Sequence, residues 1–377
     1  MNIGLVIDGD LEETSGGYRY DRKLVAALER RGDEVDVTSL SQLPTETAAS
    51  LDGETETPSD AVVHDRLDRP YDVLLQDELC YPTLVEHNRH LTEPTAVLSI
   101  VHLLQAGDPA VDDPVVRRRE RRYLETVDGI VCPSADTRER VLALINDEIP
   151  TLVAPPGGRH EDAALSAPTV DARARSTPFR LVYVGTVVPR KQLTTLLEAL
   201  CRADGAIDDW RLTVVGDLDA DPAYVRRARA LADERGLDDR VAFRGRLETA
   251  ALESLLERSH VLAVPSRYES FGMVYLEAME YGVVPIAGHV GGASEFVADG
   301  RNGAVVDSTD PAALAARLET LAADRDRLAS LGTAALRTAA AHPAWEETLE
   351  RVRTFCRRRC RLEGASNSFD DGRGEPG

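Results

Sequence analysis

Short apolar runs rich in β-branched residues alternate with amphipathic helical stretches over most of the 377-residue chain. This alternation is typical of parallel sheets that carry helices on both faces. In the first half the pattern predicts six strands: Ile3–Ile7, Val35–Ser39, Asp72–Gln76, Ala96–Val101, Gly129–Pro133 and Thr151–Ala154. A second series begins with FRLVYVGTVVPRK and continues through WRLTVVGD, RVAFRGRL, HVLAVPS, VVPIAG and NGAVVD. We therefore predict an α/β fold of two doubly wound, Rossmann-like domains facing a central cleft, with ligands at the carboxyl ends of the strands.

Acidic residues outnumber basic ones, with 65 Asp and Glu against 44 Lys and Arg, which gives a formal net charge of −21. Such a surface would repel a nucleic-acid backbone, so we exclude nucleic acid as an expected partner. Lys23 and Lys191 are the only lysines. This composition indicates a halophilic source, where high salt screens the self-repulsion of the acidic surface.

The sequence predicts a cytoplasmic location. The opening stretch MNIGLVIDGD has no basic leader or signal-type cleavage site, and no apolar run approaches the roughly 20 residues that span a bilayer. The five cysteines lack metal-type pairing and are interpreted as reduced thiols. Two basic clusters, Arg117–Arg122 and Arg357–Arg361, are interpreted as solvated helix charges, and they leave open a weak peripheral contact with the inner face of the membrane.

Each half of the chain begins with a strand and an unusual loop. In the first half, Gly16 and Gly17 precede a helix predicted from Tyr18 to Arg30, so backbone amides at a helix amino end could approach an anion. From these residues alone, a simple flexible turn is an equally good interpretation. Neither first loop contains G-x-G-x-x-G, which argues against a dinucleotide cofactor.

In the second half, a cationic pair follows the first strand. Gly185 ends that strand, and Arg190 and Lys191 come just before a helix predicted from Leu193 to Leu200. Two cations and a helix amino end at the rim of a parallel sheet are suited to a diphosphate. Because the chain nearly lacks lysine, the presence of Lys191 here favours this interpretation over an ordinary solvated pair of charges.

Two carboxylates lie eight positions apart in the stretch RYESFGMVYLEAMEYGVVPIA. Glu269 is predicted to lie on a loop, and Glu277 inside the helix that follows. The amino end of this helix, at Gly272–Val274, would present unpaired amides beside Glu269. Glu277 falls in a helix that is apolar nearly all round, so we expect it to be buried, where an unpaired carboxylate would be costly. The pattern predicts a polyol phosphate ligand, with hydroxyls at the carboxylates and phosphate at the amides.

These motifs together resemble a known family. PSRYESFGMVYLEAMEYGVVPIA with its E-x7-E pair, GTVVPRK before it and HVGGASEFVADGRNGAVVD after it occur in the right order, and SGGYRYDRKL, LSIVHLL, DGIVCPSADTRERV and VAPPGG look like family elements of the amino half. The chain resembles the retaining, nucleotide-sugar-dependent glycosyltransferases with the GT-B fold, family 4, also called group 1. The resemblance covers nearly the whole chain and is strongest over residues 179–307.

The resemblance implies a role for each candidate. Glu277 would bind the ribose hydroxyls of the donor and Glu269 the hydroxyls of the transferred sugar, while His102 would reach toward the sugar from the amino domain. Together with Lys191 and Arg190, Glu269 and His102 are the candidates for the chemical step. The other implied donor contacts are Gly16, Gly17, Gly185, Gly245, Arg246, Leu247, Phe271, Gly272, Met273 and Val274.

One departure concerns the cations. Many members of the family carry an arginine directly after the glycine that ends this strand, where this chain has Thr186. The resemblance implies that Lys191 neutralises the diphosphate and that Arg190 substitutes for the missing arginine. No D-x-D cluster stands in a suitable loop, so we predict a metal-independent enzyme without a cofactor, whose substrate is a nucleotide-diphosphate sugar of UDP or GDP type.

The resemblance also implies the division of the chain. We predict residues 1–170 as an acceptor-side Rossmann-like domain and residues 178–342 as the nucleotide-sugar-binding domain. Segment 158–178 is interpreted as a linker and the acidic segment 46–60 as an exposed loop. A helix over about 345–362 is expected to cross back onto the amino domain, and residues 363–377 are predicted to be a disordered tail.

The predicted activity is retaining transfer of a hexosyl group to a hydroxyl of a glycan or lipid-linked glycan. Two alternatives remain: a nucleotide-sugar epimerase or hydrolase on the same fold, and a non-catalytic nucleotide-sugar-binding partner. Product analysis with donor alone separates the first alternative from transfer, and the absence of nucleoside diphosphate binding would favour the second. The nucleotide base, the sugar, the acceptor and the oligomeric state are left open by the sequence.

Overall fold

The computed structural model describes residues 1–50, 53–145, 149–159 and 165–366. Internal contacts divide the chain into two compact units. The first unit combines described residues of Met1–Gly107, Val111–Pro156 and Trp345–Gly377, and the second combines Asp108–Ala110 with Gly157–Ala344. The predicted division into an acceptor-side and a donor-binding domain stays a prediction.

A six-stranded parallel sheet forms the centre of the first unit. Its apolar side chains are buried on both faces, as expected for a sheet covered by helices on both sides. The strands of the unit are β1 (Asn2–Ile7), β2 (Glu34–Ser39), β3 (Thr45–Ser50), β4 (Gly53–Pro58), β5 (Val73–Asp77), β6 (Val97–Ile100), β7 (Gly129–Cys132) and β8 (Thr151–Val153). The sheet has the order β2-β1-β5-β6-β7-β8, and β3 and β4 form a separate hairpin.

Three helices of the first unit begin at polar caps. Ser15, Asp113 and Ser134 each accept a hydrogen bond from a backbone amide in the first turn of the helix that follows, which satisfies a donor that the helix itself leaves unpaired. These helices, with the two others of the unit that precede residue 145, are α1 (Gly16–Arg30), α2 (Asp60–Leu67), α3 (Tyr81–His87), α4 (Pro114–Leu124) and α5 (Ala135–Leu144).

The acidic segment 46–60, predicted to be a loop, forms most of an antiparallel hairpin instead. β3 pairs with β4 from Thr45 opposite Pro58 to Ser50 opposite Gly53. Threonine recurs at alternate positions in both strands, and β-branched residues fit a pleated strand. The prediction was wrong because it weighed the acidic content above this alternation.

The second unit repeats the architecture with a second six-stranded parallel sheet. Its strands are β9 (Phe179–Val184), β10 (Trp210–Val215), β11 (Val241–Gly245), β12 (Val261–Val264), β13 (Val284–Gly288) and β14 (Ala304–Val306). They lie in the order β11-β10-β9-β12-β13-β14. Its helices are α6 (Ala167–Ala174), α7 (Leu193–Ala203), α8 (Pro222–Glu234), α9 (Thr249–Arg258), α10 (Met273–Glu280), α11 (Pro311–Ala323) and α12 (Arg325–Ala340). The two sheets confirm the predicted α/β fold class.

Segment 158–178, interpreted as a linker, contains α6, whose residues Val170 and Ala174 are buried. The sequence APTV after the capping Ser166 places a proline in the first turn, where a helix tolerates it. Residues 160–164 of the same segment lie outside the described part of the chain.

The last helix, α13 (Trp345–Ser366), belongs to the first unit. Its residues Leu349, Val352 and Cys356 share a buried cluster with Leu24 of α1 and with β1. The helix continues past the predicted end at about residue 362, and residues 367–377 of the predicted tail lie outside the described residues. None of the described helices combines the length and apolarity that a membrane span requires.

Candidate functional site

Lys191, Arg190 and Glu269 meet where β9 and β12, neighbours in the sheet, both end. Lys191 closes a 3-10 turn, Pro189–Lys191, that follows β9, and Glu269 lies between β12 and α10. β9 pairs with β10 on one side and β12 on the other, so the strand order reverses here. In doubly wound sheets such a switch point is the usual place for a ligand.

Four side chains converge at this point. Lys191 Nζ lies 2.5 Å from Glu269 Oε1, and Ser266 Oγ donates a hydrogen bond of 2.7 Å to the same oxygen. Arg190 Nη1 lies 3.5 Å from that oxygen and donates to the Tyr268 carbonyl at 2.5 Å. The Glu269 carboxylate is therefore the centre of a cationic cluster rather than a free loop charge.

Glu269 and Ser266 are buried and Lys191 and Arg190 are partly buried, which changes the pKa values of Glu269 and Lys191. Burial raises the pKa of Glu269, but Lys191 and Arg190 outweigh it and lower this pKa to about 2. Burial lowers the pKa of Lys191, and the attraction of Glu269 only partly opposes this. Near neutral pH, Glu269 is ionised and its negative charge faces two basic side chains.

Glycines let the strand ends and loops approach closely around this cluster. Gly185 has φ 149°, and a side-chain carbon there would contact Lys191 Cε at 3.4 Å. Gly291 has φ 104°, and a side-chain carbon there would lie 2.0 Å from the Glu269 carbonyl oxygen. The same carbonyl accepts the amide of Gly292 at 2.8 Å. The backbone of Glu269 is thus held by a strand-like contact that only glycine permits.

Helix α10 begins beside Glu269, as predicted. Gly272 caps it with φ 89°, a left-handed conformation that favours glycine, and Met273 and Val274 are partly exposed at its first turn. Phe271 is buried and stacks on Phe296 with ring centroids 4.9 Å apart, so it anchors the helix start. The amides of this first turn are available for an anion.

Glu277 lies in α10 and is 7% exposed, as its apolar surroundings predicted. Its Oε2 accepts a hydrogen bond of 3.0 Å from Nη2 of Arg159, a residue of the segment that follows β8. Arg159 Nε is buried and has no hydrogen-bond partner among the described residues. The structure therefore supplies the partner that a buried carboxylate requires.

The remaining candidates of this unit follow the edge strand β11, which β10 and β9 separate from β12. Gly245 ends β11 with φ 67°, and Leu247 is partly exposed. Arg246 is exposed, and its Nη2 lies 2.9 Å from Oδ2 of Asp217, in the loop after β10. These residues are not part of the cluster around Glu269.

In the first unit the structure brings Gly17 and His102 together. A side-chain carbon on Gly17 would lie 3.1 Å from two atoms of the His102 ring, so the ring packs on the bare helix start where Gly16 and Gly17 begin α1. His102 Nε2 lies 2.9 Å from Oδ1 of Asp21, one turn further along the same helix. Gly17 therefore packs against a histidine, a contact that its sequence pattern did not predict.

Two further carboxylates lie close to His102, Asp77 at the end of β5 and Glu78 directly after it. Glu78 is 1% exposed and accepts the backbone amides of His102 and Leu103. Ligand atoms of Asp21, Asp77 and His102 lie within 4.8 Å of one another, which makes them the one group in the described chain that could hold a metal ion. His102 and Asp21 satisfy each other directly by their hydrogen bond.

Sequence reasoning missed five residues of these sites: Ser266, Arg159, Asp21, Asp77 and Glu78. A signal existed for the pair at 77 and 78, because acidic residues directly after a buried parallel strand lie at the edge where ligands bind. Arg159 and Asp21 act through contacts with residues far away in sequence. Ser266 is close to Glu269 in sequence, but their contact depends on the conformation of the loop.

The second unit of the chain matches a known protein family. The model of the family described as Glycosyl transferases group 1 matches residues 170–338. This range contains the whole cluster around Glu269 and both carboxylates of the E-x7-E pair.

Relatives with established names extend the similarity beyond that range. The chain is 31% identical to a GDP-mannose-dependent α-(1-6)-phosphatidylinositol monomannoside mannosyltransferase of Mycobacterium tuberculosis over 288 residues, which are 73% of this chain and 72% of the relative. It is 32% identical to a D-inositol 3-phosphate glycosyltransferase of Xylanimonas cellulosilytica over 240 residues, which are 60% of this chain and 56% of that relative.

Solved structures resemble the fold over nearly the full length. Sucrose-phosphate synthase from Thermosynechococcus elongatus has a TM-score of 0.77 at 23% identity, covering 97% of this chain and 99% of the other. Anabaena HepE in complex with UDP-glucose has a TM-score of 0.75 at 18% identity, covering 95% of this chain and 100% of the other.

Proposed function

Because the chain belongs to the glycosyl transferases group 1 family and has the GT-B fold, we propose that this glycosyltransferase is a retaining enzyme that works without a metal ion. It transfers a sugar from a nucleotide-diphosphate sugar to a hydroxyl of a glycan or lipid-linked glycan. The observation that carries the proposal is the cluster of Lys191, Arg190 and Glu269 at the strand switch point, beside the amino end of α10.

The chemical step needs positive charge where the diphosphate leaves. Negative charge grows on the diphosphate while the sugar carbon becomes oxocarbenium-like, so preorganised cations and amides stabilise the transition state more than the ground state. Lys191 and Arg190, with the amides at Gly272–Val274, supply these donors in the proposed complex. The acceptor oxygen bonds to the sugar carbon on the face from which the diphosphate leaves, and an oxygen of that diphosphate takes the acceptor proton, so the configuration is retained.

Glu269 acts in this proposal as an acceptor of hydroxyl hydrogens of the transferred sugar, not as a nucleophile. Its carboxylate already binds Lys191 and Ser266, and these contacts fix its orientation. Glu277, held by Arg159, binds the ribose hydroxyls. His102 contacts the sugar, and Gly16, Gly17 and Gly245–Leu247 complete the donor contacts.

Metal independence is supported by the chemistry of the side chains at the switch point. Two basic residues there supply the charge neutralisation that a divalent ion supplies to phosphates in other enzymes. Transfer is therefore expected to persist after dialysis against EDTA. Loss of activity in EDTA that magnesium or manganese restores would contradict this part of the proposal.

The donor and acceptor classes come from relatives. The mycobacterial relative is named as GDP-mannose-dependent and acts on a phosphatidylinositol monomannoside, and HepE has been solved with UDP-glucose. We therefore propose a GDP- or UDP-sugar donor and a saccharide or lipid-linked acceptor. We also propose a cytoplasmic enzyme in a halophilic cell, with weak peripheral contact with the inner face of the membrane.

The test is a panel of GDP- and UDP-sugars screened for thermal stabilisation in high salt, followed by transfer assays with the hits. A ligand at 100 times its dissociation constant adds about 2.7 kcal/mol of stability, so a true donor is recognised by its shift in melting temperature. The anomeric configuration of the product, read by NMR, decides retention. Release of free sugar with donor alone, without transfer to any acceptor, would favour a hydrolase.

A further inference from the structure

His102 is held at its ring and at its backbone by two different carboxylates. Nε2 of the ring lies 2.9 Å from Oδ1 of Asp21, which is completely buried in α1. The backbone amide of His102 donates to Oε2 of Glu78 at 2.5 Å, and the next amide, that of Leu103, donates to Oε1 at 2.7 Å. Together with the packing of the ring against Gly17, these contacts leave the ring little freedom to rotate.

The two ring nitrogens differ in their contacts. Nε2 is engaged by Asp21, whereas Nδ1 forms no hydrogen bond with any residue in the described part of the chain. Asp21 Oδ2 is buried and likewise has no hydrogen-bond partner among those residues. Among the described residues, the Asp21 carboxylate thus forms a hydrogen bond with His102 alone. Nδ1 is the ring nitrogen that can bind a ligand.

The charges around the ring favour the imidazolium form. Asp21 faces it from α1, and Asp77 and Glu78 face it from the end of β5; the Tyr20 ring packs edge-on with centroids 5.7 Å apart. Burial lowers the pKa of His102, but Asp21, Asp77 and Glu78 outweigh it and raise this pKa to about 10. Burial, with the neighbouring Asp77, raises the pKa of Glu78 to about 8, so near neutral pH the attraction from Glu78 is weaker than that from Asp21, which contributes most. Near neutral pH, both ring nitrogens therefore carry a proton.

We propose that Asp21 is a positioning residue for His102, which holds the ring by Nε2 so that Nδ1–H is presented to an oxygen of the bound substrate. The inference rests on the proposed function, because His102 acts on a substrate only if the protein transfers a sugar. It adds to that function the residue that positions His102, the ring atom that contacts the substrate and the protonation state of the ring. Glu78 supports the arrangement by fixing the backbone of the same residue.

The test follows the ring nitrogens of His102 by NMR across pH in the full-length protein, with the signals assigned by His102→Gln. In the wild type, both nitrogens are expected to stay protonated through neutral pH. In Asp21→Asn, loss of the opposite charge should lower the pKa of His102 by about 1 to 3. The kcat of transfer should then fall as pH rises through that lowered pKa, while the KM for the nucleotide sugar changes little.

A matched control is Asp33→Asn, another buried aspartate of the first unit, whose carboxylate binds Arg353 at 2.6 Å. This variant is expected to lose stability but to keep the His102 signals and the pH profile of kcat. The inference is overturned if Asp21→Asn leaves the His102 signals and the pH profile of kcat unchanged, or if His102 of the wild type is neutral at pH 7.

The wild-type measurement decides the protonation state even if Asp21→Asn does not fold. A wild type that transfers no sugar from any donor would refute the proposed function, and with it the substrate role of Nδ1–H. The NMR titration would still report whether Asp21 controls the imidazole, so the two failures are distinguishable.

Discussion

The ammonium group of Lys191 lies 2.5 Å from the carboxylate of Glu269, across 78 positions of sequence. The family resemblance implied that these side chains bind different parts of a donor, Lys191 the diphosphate and Glu269 the sugar. In the structure they bind each other, so each determines the charge and orientation of the other. A substitution at either residue is therefore expected to change the charge and orientation of the other.

Substitution of Lys191 by Met should lower kcat by about 10²- to 10³-fold, the usual effect of removing one preorganised donor to a developing negative charge. It should also destabilise the protein, because Glu269 keeps a buried charge with weaker compensation from Arg190. Steady-state kinetics and urea unfolding measure the two effects. Lys23→Met is the matched control, since Lys23 is the other lysine and is exposed on α1. Equal activity of the two variants would refute the role of Lys191.

The Glu269 ion pair should give a defined pH dependence of stability. The pKa of Glu269 is lowered from 4.5 to about 2, because Lys191 and Arg190 outweigh the effect of burial. A carboxylate with a lowered pKa stabilises the folded state above its unfolded pKa and loses this contribution as pH falls toward the folded value. The difference in free energy of unfolding between wild type and Glu269→Gln should thus stay constant from neutral pH down to about pH 4.5 and shrink at lower pH. A difference that does not change with pH would show that the pair is not ionised.

Substitution of Arg159 by Met should weaken donor binding. Its guanidinium holds Glu277, the proposed ribose acceptor, and a hydrogen bond to a charged group contributes about 1.5–3 kcal/mol. We expect a rise of about tenfold in the KM for the nucleotide sugar with kcat nearly unchanged, since the ribose is remote from the reacting atoms. Arg175→Met is the control, because Arg175 forms exposed ion pairs with Asp171 and Asp326. A fall in kcat at constant KM would contradict the assignment.

Substitution of Gly17 by Ala should separate stability from activity. Alanine favours a helix by about 1 kcal/mol over glycine, so α1 itself gains stability. The added carbon, however, would lie 3.1 Å from the His102 ring and force the ring to move. We expect a melting temperature that is unchanged or higher together with a lower kcat. Wild-type kcat in this variant would show that the position of the ring does not matter.

The strands were predictable because each is a short apolar run whose pattern needs no knowledge of its neighbours. Eleven of the twelve sheet strands lie within two residues of the predicted segments or quoted runs, and β9 forms the first six residues of the run FRLVYVGTVVPRK. The hairpin of β3 and β4 was missed because its residues are polar and their alternation is local and weak. Helix α6 was missed because alanine, proline and charge in APTVDARA are compatible with both a linker and a helix.

The site was predictable as a set of residues but not as a set of contacts. The E-x7-E pair, Lys191 and Gly272 could be placed because they are close to strand ends and helix starts. The partners of the two glutamates could not, since Arg159 and Lys191 reach them by side-chain conformations that no sequence period encodes. The contact of Asp21 with His102 is of the same kind, because it joins α1 to the segment after β6.

Helix α13 has a consequence for the order in which the protein folds during translation. Leu349, Val352 and Cys356 complete a core that otherwise consists of residues from the first half of the chain. They leave the ribosome only after residues 157–344, which make up nearly all of the second unit. Domains usually fold in the order of their synthesis, but here the later unit can be finished first. Nascent chains arrested after Ala344 are expected to resist protease in the second unit and to be cleaved in the first; equal resistance of both units would refute this order.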